Sequence, residues 1–144
     1  MSRKISYIFV HCTAGPQEAT PADLMAEFRS KGWKAPGYHY LITADGTVHQ
    51  MLAETAVANG VKGYNSRSLH VAYTGGLHLE DNRTPAQKCA IRQLLIKLRS
   101  RYPDARILGH RDISPDRNGN GRVDAWERIK ACPCFDAEVE YSDI

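Results

Sequence analysis

The sequence predicts an α/β fold: one domain over residues 1–144, with a central mixed β-sheet flanked by helices. Three observations carry this expectation. Short apolar runs rich in β-branched and aromatic residues alternate with amphipathic helical stretches, the pattern of strands crossed by helices. Two helix starts share one signature, Thr-Pro followed by Asp or Gln at the third helical position. A turn sequence, Ala44-Asp45-Gly46, separates two strand-like runs and predicts one antiparallel pair within the sheet.

In chain order, ISYIFV at 5–10 reads as a buried strand that delivers His11 and Cys12 at its end. Thr20, Pro21 and Asp23 open a helix with Leu24, Met25 and Phe28 on one face, and Gly32 closes it. YHYLIT at 38–43 and TVHQM at 47–51 form the hairpin, which places His39 on the face opposite Tyr38 if the strand is regular. Residues 52–67 lack periodicity and read as an irregular surface loop near the site. LHVAYTGG at 69–76 is a further buried strand, its glycines allowing close approach by a neighbour or ligand. Thr84, Pro85 and Gln87 open the clearest helix, with Ile91, Leu94, Leu95, Leu98 and Tyr102 on its apolar face. Ile107 and Leu108 make a short strand ending in Gly109 and His110.

At 144 residues the chain can bury one substantial core. Its net charge of +3 is not gathered into a basic run, so no nucleic-acid partner is expected. The N-terminus has neither an apolar h-region nor a cleavage site, and no stretch is long enough to span a membrane. A monomer made in the cytoplasm without a recognisable signal peptide is expected. Cys12, Cys89, Cys132 and Cys134 then read as reduced thiols, some of them metal-bound.

Two metal chemistries lie between His110 and Phe135. His11 and His110 each follow a short strand, and adjacent strands ending at one sheet edge would bring both imidazoles together. With Cys132 they make a three-ligand zinc set that keeps one coordination position open, the form of a catalytic site. A closed site using Cys134 as well would need two ligands only two residues apart. The second chemistry is oxygen-only: residues 116–127, DRNGNGRVDAWE, match the EF-hand loop pattern. Asp116, Asn118, Asn120, Arg122 through its carbonyl, Asp124 and Glu127 would hold calcium; the alternative is a glycine-rich insertion that binds no ion.

FVHC at 9–12, GYHYLITADGTV at 37–48, KGYN at 62–65, TPAQ at 84–87, GHRD at 109–112 and KACPCFD at 130–136 together resemble the zinc-dependent N-acetylmuramoyl-L-alanine amidase family. That family includes phage lysozymes of the T7 type and peptidoglycan recognition proteins, and the resemblance runs in order through almost the whole chain. It implies the amidase fold, zinc held by His11, His110 and Cys132, and cleavage of the amide between N-acetylmuramic acid and L-alanine in peptidoglycan. It also implies catalytic roles for Tyr38 and Lys130, and action on the cell wall once the protein is released. Three departures stand out. Cys134 offers a second thiolate beside Cys132, so that either could be the ligand. Gly60 occupies a position where members carry histidine, and His70 one where they carry glycine, so that His70 either supplies an imidazole or packs. A peptidoglycan-binding module without turnover and a regulator of a phage RNA polymerase are the competing expectations.

Overall fold

The computed structural model describes residues 4–33, 35–61, 63–113 and 133–144, without the side chains of Leu79, Arg111 and Ile113. Among the described residues five strands form one sheet: β1 (Tyr7–Cys12), β2 (Tyr40–Ile42), β3 (Val48–Gln50), β4 (Ser68–Tyr73) and β5 (Arg106–Gly109). Their order is β3-β2-β4-β1-β5; β1 runs parallel to β4 and β5, β2 parallel to β4, and β3 antiparallel to β2. The sheet is mixed, and its antiparallel pair is the hairpin expected from Asp45-Gly46. Parallel neighbours share a carboxyl-end edge, the side on which open α/β sheets carry their ligands.

Both cap-proline signatures start helices. In α1 (Pro21–Ser30) the Thr20 hydroxyl accepts from Asp23 N–H while the Asp23 carboxylate accepts from Thr20 N–H. Thr84 and Gln87 exchange the same bonds at the start of α2 (Pro85–Arg101). Gln87 is fully buried, and its amide also donates to the carbonyls of Ile42 (3.1 Å) and Thr74 (2.9 Å), tying α2 to the ends of β2 and β4. The expected face of α2, Ile91, Leu94, Leu95 and Leu98, is buried.

Strand alternation divides the sheet into two faces. Ile8, Val10, Cys12, Ile42, Leu69, Val71 and Tyr73 pack beneath α2 in the main core. Leu41 and Ala72 meet Leu24 and Phe28 of α1 on the other face, and Phe9 packs there with Val61 and Leu108. His11 lies two residues beyond Phe9 and belongs to this second face. The irregular loop is less superficial than expected, because Ala58 and Val61 are buried in it.

The segment after residue 132 is fastened by a charged clasp. Arg83, 7% exposed, donates to Asp81 (2.8 and 2.9 Å), to Glu140 (2.7 and 2.9 Å) and to the Tyr141 hydroxyl (3.1 Å). Its guanidinium carbon also lies 3.4 Å from the Phe135 ring centroid. Glu140 ends a one-turn helix, α3 (Ala137–Glu140), which the sequence reading did not anticipate. Hydrogen bonds from Arg83 hold both carboxyls below their usual range. Carboxyls depressed in the folded state stabilise it above their unfolded pKa near 4, and that contribution disappears as pH falls through the folded value. Arg83→Met should therefore cost about 2–3 kcal/mol at pH 7, less than a fully buried pair because Glu140 is partly exposed, and should flatten the acid limb. Urea denaturation from pH 7 to 2 measures both effects; an unchanged limb would dismiss the clasp as a source of pH dependence.

Candidate active site

The last residue pair between β1 and β5 is Val10 with Gly109, so the next residues of the two parallel strands are His11 and His110. Their imidazole centroids are 5.1 Å apart, as expected from two strands ending at one edge. His11 is nearly buried and His110 partly exposed, and both line a cleft of about 250 Å³ with Thr13, Phe28, Trp33 and Tyr38. Gly109 leaves this edge open to the returning chain: a Cβ there would meet Pro133 Cδ at 2.6 Å. The Asp112 carboxylate accepts from Gly109 N–H at 2.7 Å and folds the turn that carries His110.

Pro133 is held from the opposite face of the sheet as well. The Tyr73 phenol donates to its carbonyl at 2.7 Å, and burial, helped by the Cys12 and Cys134 thiols, pushes that phenol well above its usual pKa. Tyr73 thus keeps the proton it donates. Beside it, the thiols of Cys134 and Cys12 lie 3.6 Å apart, with Cys134 packed against the main core. Cys134 therefore sits on the α2 face, while His11 faces the cleft.

Tyr38 stands against His11, with ring centroids 5.3 Å apart, and its hydroxyl donates to the Cys12 carbonyl at 3.4 Å. Phe28 supports it edge-on at 5.7 Å. The expectation that His39 would face away from Tyr38 is not met. The regular strand begins only at Tyr40, so alternation does not extend back to Tyr38. His39 is fully buried in the layer behind His11, where Nδ1 accepts from His70 N–H at 3.1 Å and Nε2 lies 2.8 Å from the Ala56 carbonyl.

His70 is the residue that local pattern could not place. It is opposite Phe9 in the β1–β4 register, so its side chain shares the face of Phe9 and His11. Its Nδ1 lies 2.9 Å from His11 Nε2. The ring occupies the space above Gly60, where a Cβ would come within 2.3 Å of His70 Nδ1. Of the two readings left open, supplying an imidazole and packing, the structure shows the packing, in contact with His11. His49 lies beside Thr43 and His78 in an exposed turn, neither of them at the cleft.

Lys130, Cys132 and the loop ligands Asp116, Asn118, Asn120, Arg122, Asp124 and Glu127 lie outside the described residues. Among the described residues no three His, Cys, Asp or Glu side chains form a metal cluster. No described helix is long and apolar enough to cross a membrane.

A cleft at the carboxyl edge of parallel strands, with two adjoining histidines in its lining, defines the site of this α/β protein. The family model for N-acetylmuramoyl-L-alanine amidase matches residues 1–133. The endolysin of Klebsiella phage KP32 is 36% identical, over 93% of this chain and 83% of its own length. That of Escherichia phage T7 is 35% identical, over 90% and 80%. Among solved structures, the Ph2119 endolysin from the Thermus scotoductus MAT2119 bacteriophage superposes with a TM-score of 0.74 at 25% identity, covering 99% of this chain and 86% of that one. The chain belongs to the N-acetylmuramoyl-L-alanine amidase family. Its fold and its class as a peptidoglycan amidase follow from that membership.

Proposed function

We propose that the chain hydrolyses the amide joining the lactyl group of N-acetylmuramic acid to the L-alanine of the stem peptide, using zinc held by His11, His110 and Cys132. The observation that carries this reading is the delivery of His11 and His110 by adjacent parallel strands to the floor of one cleft. The donor set suits zinc: two imidazoles and a thiolate leave a tetrahedral ion one open position. Pro133, covalently next to Cys132, packs against Gly109, covalently next to His110, which supports Cys132 as the third donor. Cys134 lies beside Cys12 and packs against the main core, which favours Cys132 over Cys134 as that donor.

Bound there, zinc supplies Lewis acidity toward the scissile carbonyl and lowers the pKa of water. The protein's part is to position and to manage charge. Tyr38, braced between Phe28 and His11 at the cleft wall, orients the attacking water or donates a proton. Lys130, by its place in the family pattern, offers an ammonium to the developing oxyanion. The absence of a loop histidine at Gly60 is the feature that favours a binding module without turnover, and His70, which fills the space above Gly60, is buried away from the cleft. Action on the cell wall after release accords with these roles.

Digestion of purified sacculi tests the reaction. New L-alanine amino termini without new reducing ends are expected; new reducing ends instead would reassign the cleavage to a glycan bond. Calcium at residues 116–127 would brace the connection from His110 to Cys132, and calorimetric titration should then show one binding event that Glu127→Gln abolishes. No heat from the unchanged protein would leave the loop a glycine-rich insertion.

A further inference from the structure

We infer that His70 is a positioning residue for His11: it accepts the Nε2–H of His11 and so leaves the Nδ1 lone pair of His11 to the metal. The inference rests on the zinc reading above and adds the tautomer and orientation of one ligand. An imidazole has two ring nitrogens, and in the neutral form one donates while the other accepts or ligates. His11 Nε2 is engaged 2.9 Å from His70 Nδ1. Metal ligation through His11 Nε2 would require that contact to break.

Distance separates this role from direct ligation by His70. Two nitrogens at about 2.0–2.1 Å from one tetrahedral ion lie roughly 3.3 Å apart. The observed 2.9 Å is instead a hydrogen-bond separation. Access agrees: His11 and His110 line the cleft, whereas His70 is fully buried and does not. His70 acts on the site only through His11.

The surroundings hold the His70 ring in one orientation. It is stacked between Phe9 (centroids 5.7 Å, planes 11° apart) and His39 (5.8 Å, 6°). Its backbone N–H is fixed on His39 Nδ1, while His39 Nε2 donates to the Ala56 carbonyl. Gly60 completes the device by leaving the ring its space, so positions 60 and 70 hold room for one side chain between them. Metal-bound histidines commonly donate their second ring N–H to an oxygen acceptor; here the acceptor is another imidazole, held by a ring stack.

Zinc affinity of the purified full chain, measured by chelator competition, tests the role. His70→Ala should weaken zinc about 10- to 100-fold. His70→Asn should recover much of the loss, because its amide oxygen accepts from near the Nδ1 position. Gly60→Ala should weaken zinc in the unchanged background by displacing the ring and have no further effect beside His70→Ala. Cobalt-saturated His70→Ala should keep the wild-type absorption bands, since no ligand is lost. Long-range proton–nitrogen NMR of the metal-free protein should show His11 as the Nε2–H tautomer, giving a readout even if the alanine variant folds poorly. Unchanged zinc affinity in His70→Ala, shifted cobalt bands, or an Nδ1–H tautomer of His11 would each overturn the inference. Failure of the zinc reading would show separately, as no zinc uptake by the unchanged protein.

Discussion

Replacing His110 by alanine is expected to remove zinc and lower kcat/KM by at least about a thousandfold, roughly 4 kcal/mol of transition-state stabilisation. The expectation follows from what the ligand set supplies. With one imidazole gone the remaining donors cannot hold zinc in an open tetrahedral site, and the reaction loses both carbonyl polarisation and acidified water. His110 is the better of the two histidines for this test. It follows the end of β5 and is partly exposed, whereas His11 is 2% exposed and contacts Phe9, Tyr38 and His70. Truncation at 110 should therefore leave thermal unfolding of the metal-free protein nearly unchanged. Elemental analysis and muropeptide turnover on one preparation measure the effect, and full activity with less than stoichiometric zinc would refute it.

Tyr38→Phe should lower kcat by about 10²- to 10³-fold while leaving KM and zinc content close to those of the unchanged protein. The variant keeps the ring that packs on Phe28 and His11 and removes only the hydroxyl. An effect confined to kcat marks an interaction made in the transition state, and one confined to KM would assign the hydroxyl to substrate binding. The bond to the Cys12 carbonyl is long at 3.4 Å, so breaking that bond costs the hydroxyl little.

Much of this site is legible in the sequence because it depends on local signals. FVHC and GHRD each end a strand in histidine, and two parallel neighbours need only align for the rings to meet. The capping boxes at Thr20 and Thr84 are likewise written within four residues. His70 is different, since its contact with His11 depends on the pairing of β1 with β4 and on the register that sets it beside Phe9. No pattern around residue 70 encodes that pairing. His39 is packed, as expected, but alternation sets it opposite Tyr38 only in a strand running through both, and the strand starts at Tyr40. Arg83 reads locally as one more charge in a turn; its partners Glu140 and Tyr141 lie 57 and 58 residues away.

Whether the adjoining histidines hold the zinc of a peptidoglycan amidase is decided by muropeptide mass spectrometry on protein of measured zinc content. Protein carrying one zinc per chain should release free stem peptides from peptidoglycan and leave the glycan strands uncut, and removal of zinc should stop the release. Intact muropeptides from fully zinc-loaded protein would contradict that reading.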